Sequence, residues 1–255
     1  MHKLEKIEQT VIDSKDPEWN YEFAKEISCA DVKAHEEVAL KSRDVFLNYK
    51  FARDVLNNNV LAHEKVVLES NNLFCVLKFA TDVKDANIMA LADKIKKSKN
   101  AEYNYQFAKD VKGADIKANE KVLLERKNPA YNYVFAKDIK FANIREHEKV
   151  ILERKNLRYN YLFARNIKGA NIKSHEKLIL AKKDVNLCYL FAADVKGADI
   201  KSHEKIVLES KNLYFNYHFA KDVKGADIVA HGKIIYNNGR NSEYMSYFRD
   251  DFKEE

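Results

Sequence analysis

Apolar residues recur along the chain at the three-to-four-residue spacing of amphipathic helices, in short runs separated by polar breaks. The dipeptide Phe-Ala marks these runs and returns every 28 residues without insertion or deletion. Its eight copies begin at Phe23, Phe51, Phe79, Phe107, Phe135, Phe163, Phe191 and Phe219. A constant period of this length predicts a repeat architecture in which each repeat is one supersecondary unit.

Each repeat contains two helical segments, and each segment opens with an Asn or Asp that can cap a helix N-terminus. Pro17 and Pro129 directly follow such a residue, at the first helical position, where proline is favoured. A glycine such as Gly169 separates the two segments, and we expect a left-handed residue there. Phe141 occupies this position in one repeat, so we expect that turn to differ.

Two short helices cannot bury their apolar stripes alone, so neighbouring repeats must stack. We therefore predict an all-α fold, a right-handed α-solenoid of eight 28-residue helix-pair repeats with half-repeat caps at both ends. The prediction treats residues 1–255 as a single α-solenoid domain. Its N-terminal half-repeat cap spans 1–15, the repeat array spans 16–240 and the C-terminal half-repeat cap spans 241–255. The charged caps favour a complete array.

Polar residues recur inside the apolar stripes and predict a buried ladder of hydrogen bonds. Six repeats place a histidine in the middle of the second helix, at His35, His63, His147, His175, His203 and His231. A zinc-protease site would need a second histidine four residues after the first, and none is present. An Asn of the first helix faces the same interior, and Val76 and Cys188 replace it in two repeats. We expect backbone groups or the histidines to bond this Asn. Metal binding and acid–base chemistry are the alternative roles for the histidines.

A tyrosine follows that Asn in most repeats, as in Tyr49 and Tyr161. Because these tyrosines flank the apolar arc of the first helix, we expect them to pack in the core with the hydroxyl at its rim. A platform for base stacking is the alternative.

Composition and charge further restrict the possible folds, partners and compartments. Six Gly and two Pro among 255 residues are too few for a turn-rich β fold, and the net charge of +6 permits a polyanionic partner without requiring one. Cys29, Cys75 and Cys188 form no Cys-x-x-Cys pair, so we expect reduced thiols that are buried or half-buried. With neither a signal-peptide core nor an apolar run of about 18 residues, the prediction is a cytoplasmic protein without a membrane partner.

The chain carries none of the motifs that mark common enzymes. It has no nucleophile-elbow glycine pattern and no glycine-rich phosphate loop, and no carboxylate pair stands apart from the repeat. We therefore predict that the protein is not an enzyme and uses no cofactor, metal or small-molecule substrate.

Aligned apolar residues at outward positions predict docking surfaces for a protein partner. Leu61 and Met89 stand in a row that most other repeats fill with Lys or Arg, and Phe46 and Phe74 replace polar residues of the first helix. Three more residues align midway across the polar face of the first helix. The full candidate set is Phe46, Leu61, Phe74, Met89, Val134, Leu162 and Leu190. The leading hypothesis is a non-enzymatic protein–protein interaction scaffold or inhibitor that wraps a macromolecular partner. Neutral drift of the surface is the rival explanation.

Basic residues on the second helices support an alternative hypothesis, binding of nucleic acid. Two rows one helical turn apart comprise Lys117, Arg145, Lys173 and Lys201, and Lys121, Lys149, Lys177 and Lys205. A glutamate four residues after the second row is positioned to neutralise it, at Glu69, Glu125, Glu153 and Glu209.

In architecture the chain resembles the α-solenoids, the class that includes tetratricopeptide, Sel1-like and HEAT repeats. The resemblance covers the whole chain, but the 28-residue period is shorter and the tetratricopeptide Trp/Leu-Gly/Tyr signature is absent. The unit N-Y-x-F-A-[KR]-[DN]-[VI]-K-G-A-[DN]-I-K-[AS]-H-E-K is similar to repeats of uncharacterised bacterial and phage-like proteins. Repeats that read RNA one base at a time need side chains that vary between repeats, and the outer positions here are too uniform.

Overall fold

The computed structural model of the chain describes residues 3–239 and 242–252, and every regular element within these ranges is an α-helix. The chain divides into two compact units, an N-terminal unit of residues 1–126 and a C-terminal unit of residues 127–255. Residues 1–2, 240–241 and 253–255 of the predicted caps and array lie outside the described ranges.

The N-terminal unit consists of the predicted half-repeat, α1, followed by four helix pairs. Its helices are α1 (Lys3–Ser14), α2 (Pro17–Glu26), α3 (Val32–Ser42), α4 (Val45–Asp54), α5 (Val60–Glu69), α6 (Leu73–Asp82), α7 (Ile88–Ser98), α8 (Ala101–Asp110) and α9 (Ile116–Arg126). Helix α1 packs on α2 and α3.

The C-terminal unit consists of four helix pairs followed by a half-repeat, α18. Its helices are α10 (Pro129–Asp138), α11 (Ile144–Arg154), α12 (Leu157–Asn166), α13 (Ile172–Lys182), α14 (Val185–Asp194), α15 (Ile200–Ser210), α16 (Leu213–Asp222), α17 (Ile228–Asn238) and α18 (Glu243–Asp251). Helix α18 packs on α16 and α17.

The predicted capping residues lie where the helices begin. The Asp16 carboxylate, for example, accepts the backbone N–H groups of Glu18 and Trp19 at 3.0 Å each. These two bonds pair donors that a helix N-terminus would otherwise leave without partners.

The first helix of each repeat ends earlier than its glycine suggests. Helix α12 ends at Asn166, the extended residue Ile167 follows, and Gly169 lies in the loop at φ 86°. Phe141 adopts the same left-handed conformation at φ 69°. The expectation that its turn would differ is therefore wrong, because the chain keeps the turn and places a bulky side chain in it.

Successive helix pairs stack in each unit, which is the arrangement of an α-solenoid. A five-residue loop joins the two helices of a pair, so the helices run antiparallel. In both units, successive first helices contact each other more extensively than successive second helices do. The all-α solenoid is thereby confirmed, while its right-handedness and the single-domain interpretation stay predictions.

Each repeat contributes one phenylalanine to the interior. Seven of the eight are fully buried: Phe51, Phe79, Phe107, Phe135, Phe163, Phe191 and Phe219. They pack with the β-branched and leucine residues of the second helices, so the core continues from one pair to the next within each unit.

The structure also bears on the predictions for the three cysteines and for membrane-spanning segments. Cys75 and Cys188 are buried, but Cys29 is exposed because it lies in the loop between α2 and α3, so the expectation fails for this thiol. Within the described ranges, no helix combines the length and apolar character needed to cross a membrane.

The ring of Phe163 provides a test of this stacked core. Phe163→Ala should lower the free energy of unfolding by about 3–5 kcal/mol, because it removes a fully buried ring and leaves a cavity. Leu162→Ala, on the same helix but only half-buried, should cost clearly less. Urea denaturation followed by circular dichroism measures both. Equal losses in the two variants would contradict this view of the core.

Candidate functional site

The predicted histidines lie inside the repeats, and five of the six are bonded to the Asn of their own first helix. His203 is the exception, because its repeat has Cys188 in place of the Asn. The Nδ1 atom of His35 lies 2.7 Å from the Asn20 Oδ1 atom. The Asn20 amide donates its two hydrogens to the carbonyl oxygens of Val11 and Asp16. The amide oxygen therefore faces the ring, and Nδ1 must carry the proton. Four other repeats contain the same contact at 2.7–2.8 Å: His63–Asn48, His147–Asn132, His175–Asn160 and His231–Asn216.

The other ring nitrogen links each histidine to the preceding repeat. The Nε2 atom of His175 lies 3.1 Å from the Glu148 Oε1 atom, and this oxygen also accepts the backbone N–H of Asn171 at 2.6 Å. The equivalent Nε2–Oε1 distances are 3.1–3.3 Å for His35–Glu8, His63–Glu36, His203–Glu176 and His231–Glu204. We call the repeated Asn–His–Glu contact the polar ladder. At these distances the Nε2 atoms of His35, His175 and His203 form hydrogen bonds, whereas those of His63 and His231 do not. The predicted hydrogen-bonding between repeats is therefore confirmed for three histidines.

The third repeat lacks both the Asn and the His of the bonded pair. Val76 replaces the Asn and Leu91 replaces the His, and both side chains are fully buried in one apolar cluster. The seventh repeat keeps His203 opposite Cys188, and the fourth has Asn119 opposite Asn104, so the two positions do not always change together. The His203 Nδ1, Asn104 Oδ1 and Asn119 Oδ1 atoms are buried there without a hydrogen-bond partner, a cost that the joint replacement in the third repeat avoids.

Burial sets the protonation of the polar ladder. It lowers the pKa of His63 to about 4 and raises the pKa of Glu36, so both members of this pair favour their uncharged forms. The pKa values of His175, His203 and His231 are also lowered by burial. These rings are fully buried, and among the described residues no group of three or more His, Cys, Asp and Glu side chains is arranged to hold a metal.

The tyrosines form a second set of links between repeats. The Tyr49 hydroxyl donates to the Asp82 carboxylate at 2.6 Å, and Asp82 lies 33 residues further along, at the end of the next first helix. Tyr21–Asp54, Tyr161–Asp194, Tyr189–Asp222 and Tyr217–Asp251 repeat this bond. Burial and the bond to Asp194 raise the pKa of Tyr161 to about 12. Core packing with the hydroxyl at the rim is confirmed for these residues.

Three of the predicted docking residues do not lie on an open face. Val134, Leu162 and Leu190 are half-buried and pack against the apolar clusters of the C-terminal unit. Their placement on the polar face of the first helix is corrected by this packing, because the neighbouring first helices cover that flank.

The other four lie at two different ends of the helix pairs. Phe46 and Phe74 are about half exposed, at the second positions of the first helices α4 and α6. Leu61 and Met89 are the second residues of the second helices α5 and α7, which run antiparallel to the first helices. The seven candidates therefore do not form one surface.

We define the loop edge of each repeat as the five-residue loop between its helices together with the first turns of its second helix. In the N-terminal unit this edge is apolar over two consecutive repeats. Leu56, Leu61 and Met89 are 83%, 66% and 84% exposed. Sequence reasoning missed Leu56, although most other repeats place a lysine at its position.

In the C-terminal unit the loop edge is basic. Arg145, Lys149, Lys173, Lys177, Lys201 and Lys205 are all exposed, and Lys140, Lys168, Lys196 and Lys224 lie in the preceding loops. Lys117 and Lys121 occupy the equivalent sequence positions on α9 of the N-terminal unit and are also exposed. The structure therefore places all eight predicted basic residues at solvent-accessible positions.

Three of the four glutamates expected to neutralise the second row form ion pairs with other residues. Glu153 pairs with Lys127 at 2.8 Å and Glu209 with Lys183 at 3.9 Å, both contributed by the preceding repeat. Glu69 pairs likewise with Arg43. None of the eight basic residues forms an ion pair within the described part of the chain.

Charge is distributed unevenly between the units. Residues 127–255 contain 24 Lys and Arg against 17 Asp and Glu, whereas residues 1–126 contain 21 against 22. The net positive charge of the chain therefore belongs to the C-terminal unit, a difference that the whole-chain sum conceals.

The chain matches no protein-family model, no curated protein and no solved structure.

The third repeat suggests a test of the polar ladder in the second. His63→Leu alone should destabilise the protein by about 1–3 kcal/mol, because it leaves the Asn48 Oδ1 atom buried without a donor. Asn48→Val/His63→Leu reproduces the natural Val76/Leu91 pair and should recover at least half of that loss. Chemical denaturation of the two single variants and the double variant gives the coupling. Simple additivity would show that the two side chains are not paired.

The lowered pKa of His63 also predicts acid sensitivity. Its contribution to the free energy of unfolding is complete above pH 6.5 and is lost as the pH falls from 6.5 toward about 4, because only the unfolded chain takes up the proton. Between pH 7.5 and 4.5, the natural protein should lose about 2–3 kcal/mol more than Asn48→Val/His63→Leu. Denaturation curves across that range measure the difference, and parallel pH profiles would contradict it.

Proposed function

We propose that the protein is a non-enzymatic interaction module that binds a protein partner through the apolar loop edge of its N-terminal unit. One observation carries the proposal: three largely exposed apolar side chains, Leu56, Leu61 and Met89, lie on the same edge of consecutive repeats. Isolated exposed apolar residues are common on soluble proteins, whereas aligned ones are typical of docking surfaces.

The polar residues next to Leu61 and Met89 also fit a protein partner. Lys65 and Asp93 lie one turn further along α5 and α7 and are polar neighbours of Leu61 and Met89. An apolar centre with a polar rim is the usual composition of a protein interface. Methionine also adapts its shape to the surface that it contacts.

The rigid interior supports the same function. The Tyr49 bond to Asp82 and the Glu64 bond to the Asn87 backbone N–H join the second repeat to the third, so the edge residues are presented at fixed spacing. A partner then binds without ordering this surface first, which reduces the entropic cost of binding. Scaffolding of several partners and inhibition of one are both compatible with such an edge.

The test replaces the two edge residues of the second helices. Leu61→Lys/Met89→Lys should weaken binding of the partner at least tenfold, because each side chain contributes about 1.5–3 kcal/mol when it is buried. The partner is identified by affinity purification from native cells with mass spectrometry, and its affinity for the purified variants is measured by calorimetry.

Two variants serve as controls. Phe46→Lys/Phe74→Lys changes two apolar residues at the opposite end of the helix pairs, and Val229→Lys changes the position equivalent to Leu61 in the C-terminal unit. All three variants should keep the helical circular dichroism spectrum. Loss of binding in either control, together with full binding by Leu61→Lys/Met89→Lys, would contradict the proposed edge.

A further inference from the structure

Phe141 combines two unfavourable features at the loop edge of the C-terminal unit. Its backbone is left-handed at φ 69°, a conformation that is strained for a bulky residue. Its side chain is 87% exposed, so burial in the core does not offset the strain. The other repeats of the unit place Gly169, Gly197 and Gly225 there, which adopt a left-handed conformation without that strain.

The ring of Phe141 lies among basic groups. The Lys140 Nζ atom lies 4.9 Å from the ring centroid, in a cation–π contact. Arg145 follows four residues later at the start of α11, on the same loop edge, and its side chain is exposed.

The basic residues of successive repeats meet in open grooves. Lys201 and Lys205 line one groove together with Gly225, Ala226 and Asp227 of the next loop. In a second groove, Lys168 and Lys196 from consecutive loops lie beside Arg165, which pairs with Asp194 of the same groove at 3.4 Å. The positive side chains are thus continued from repeat to repeat along this edge of the unit.

The acidic residues of these grooves are engaged within the protein. Glu204 accepts the backbone N–H of Asp227, and the Asp227 carboxylate caps α17 by accepting the N–H of Ala230 at 2.9 Å. Asp194 accepts the hydroxyl hydrogen of Tyr161. The lysines that face the same grooves have no ion-pair partner in the described part of the unit, so their charge is directed to solvent.

We propose that the basic loop edge of the C-terminal unit, with Phe141 at its first repeat, binds single-stranded nucleic acid. The rows of Lys and Arg would follow the phosphate backbone, and the exposed ring would stack on an unpaired base. A positively charged groove combined with an exposed aromatic ring is how proteins bind single strands without sequence preference. This surface is separate from the apolar edge of the N-terminal unit, and the proposal does not depend on the function assigned to that edge.

Phe141 distinguishes a single strand from an acidic protein or a duplex. The lysine rows alone would attract any polyanion. Only a strand with unpaired bases offers a flat π-face to the ring, because the bases of a duplex are already stacked on each other. The basic rows should therefore control salt dependence, and the ring should control the preference for single strands.

The binding experiment uses the full chain and fluorescence anisotropy. The probe is a labelled strand of about 20 nucleotides of mixed sequence, tested as RNA, as DNA and as the corresponding duplex, across about 50–200 mM salt. The natural protein should bind both single strands more tightly than the duplex, with affinity falling steeply as salt rises. Comparing RNA with DNA shows which of the two sources is preferred.

Two charge-matched variants test the rows. Lys173→Gln/Lys177→Gln/Lys201→Gln should weaken binding at least tenfold at low salt and reduce the slope of log affinity against log salt by about 2. The control removes three exposed lysines at the other end of the second helices, at Lys155, Lys182 and Lys211. It should retain most of the affinity. Equal weakening in both variants would overturn the assignment to the loop edge.

Phe141→Gly separates binding from folding. It should raise the melting temperature, because glycine relieves the strain, and weaken single-strand binding by between about fivefold and a hundredfold while leaving duplex binding unchanged. Phe141→Tyr keeps the ring and should keep the affinity. Unchanged single-strand affinity in Phe141→Gly would overturn the role of the ring. Absence of binding at the lowest salt, or equal competition by poly-glutamate, would overturn the proposal as a whole.

Discussion

The bond between a buried Asn amide and a buried His ring is the constraint on which the remaining structure depends. It joins the two helices of one repeat, and the Glu contact at the other ring nitrogen joins that repeat to the preceding one. An inserted residue would rotate the following helical positions by about 100° and turn one partner away from the other. Five of the eight repeats contain this bond, and the 28-residue spacing keeps its partners aligned in each of them.

Most of the interior could be predicted from the sequence, because it depends on periods and capping residues within one repeat. The capping Asp16, the buried Asn20 and the histidine ladder all follow from positions that recur. The predictions that failed concern contacts with adjacent repeats, which the periodicity of a single helix does not describe. Leu162 looks outward on an isolated helix but is covered by the next first helix, and Glu153 pairs with Lys127 rather than with the lysine one turn before it.

Because the interior is specified by a few positions, the loop edge is free to change its chemistry between repeats. The same edge carries Leu61 and Met89 in the N-terminal unit and Lys173 and Lys201 in the C-terminal unit, on backbones of the same design. A stack of repeats can therefore acquire a second binding surface without altering its core. The separation of apolar and basic chemistry between the units fits two partners of different classes.

The polar ladder is not needed for burial, since the third repeat packs Val76 and Leu91 in its place. The polar ladder instead favours one stacking of the helices over the alternative stackings. Near-identical helices can stack out of register and still bury apolar area, but such a pairing leaves the Asn, His and Glu groups without partners, at about 1–3 kcal/mol for each buried group. Repeated along the stack, this penalty excludes misaligned arrangements. The apolar pair of the third repeat is tolerated because the second repeat still bonds to it through Glu64, which accepts the Asn87 backbone N–H, and through Tyr49, which donates to Asp82.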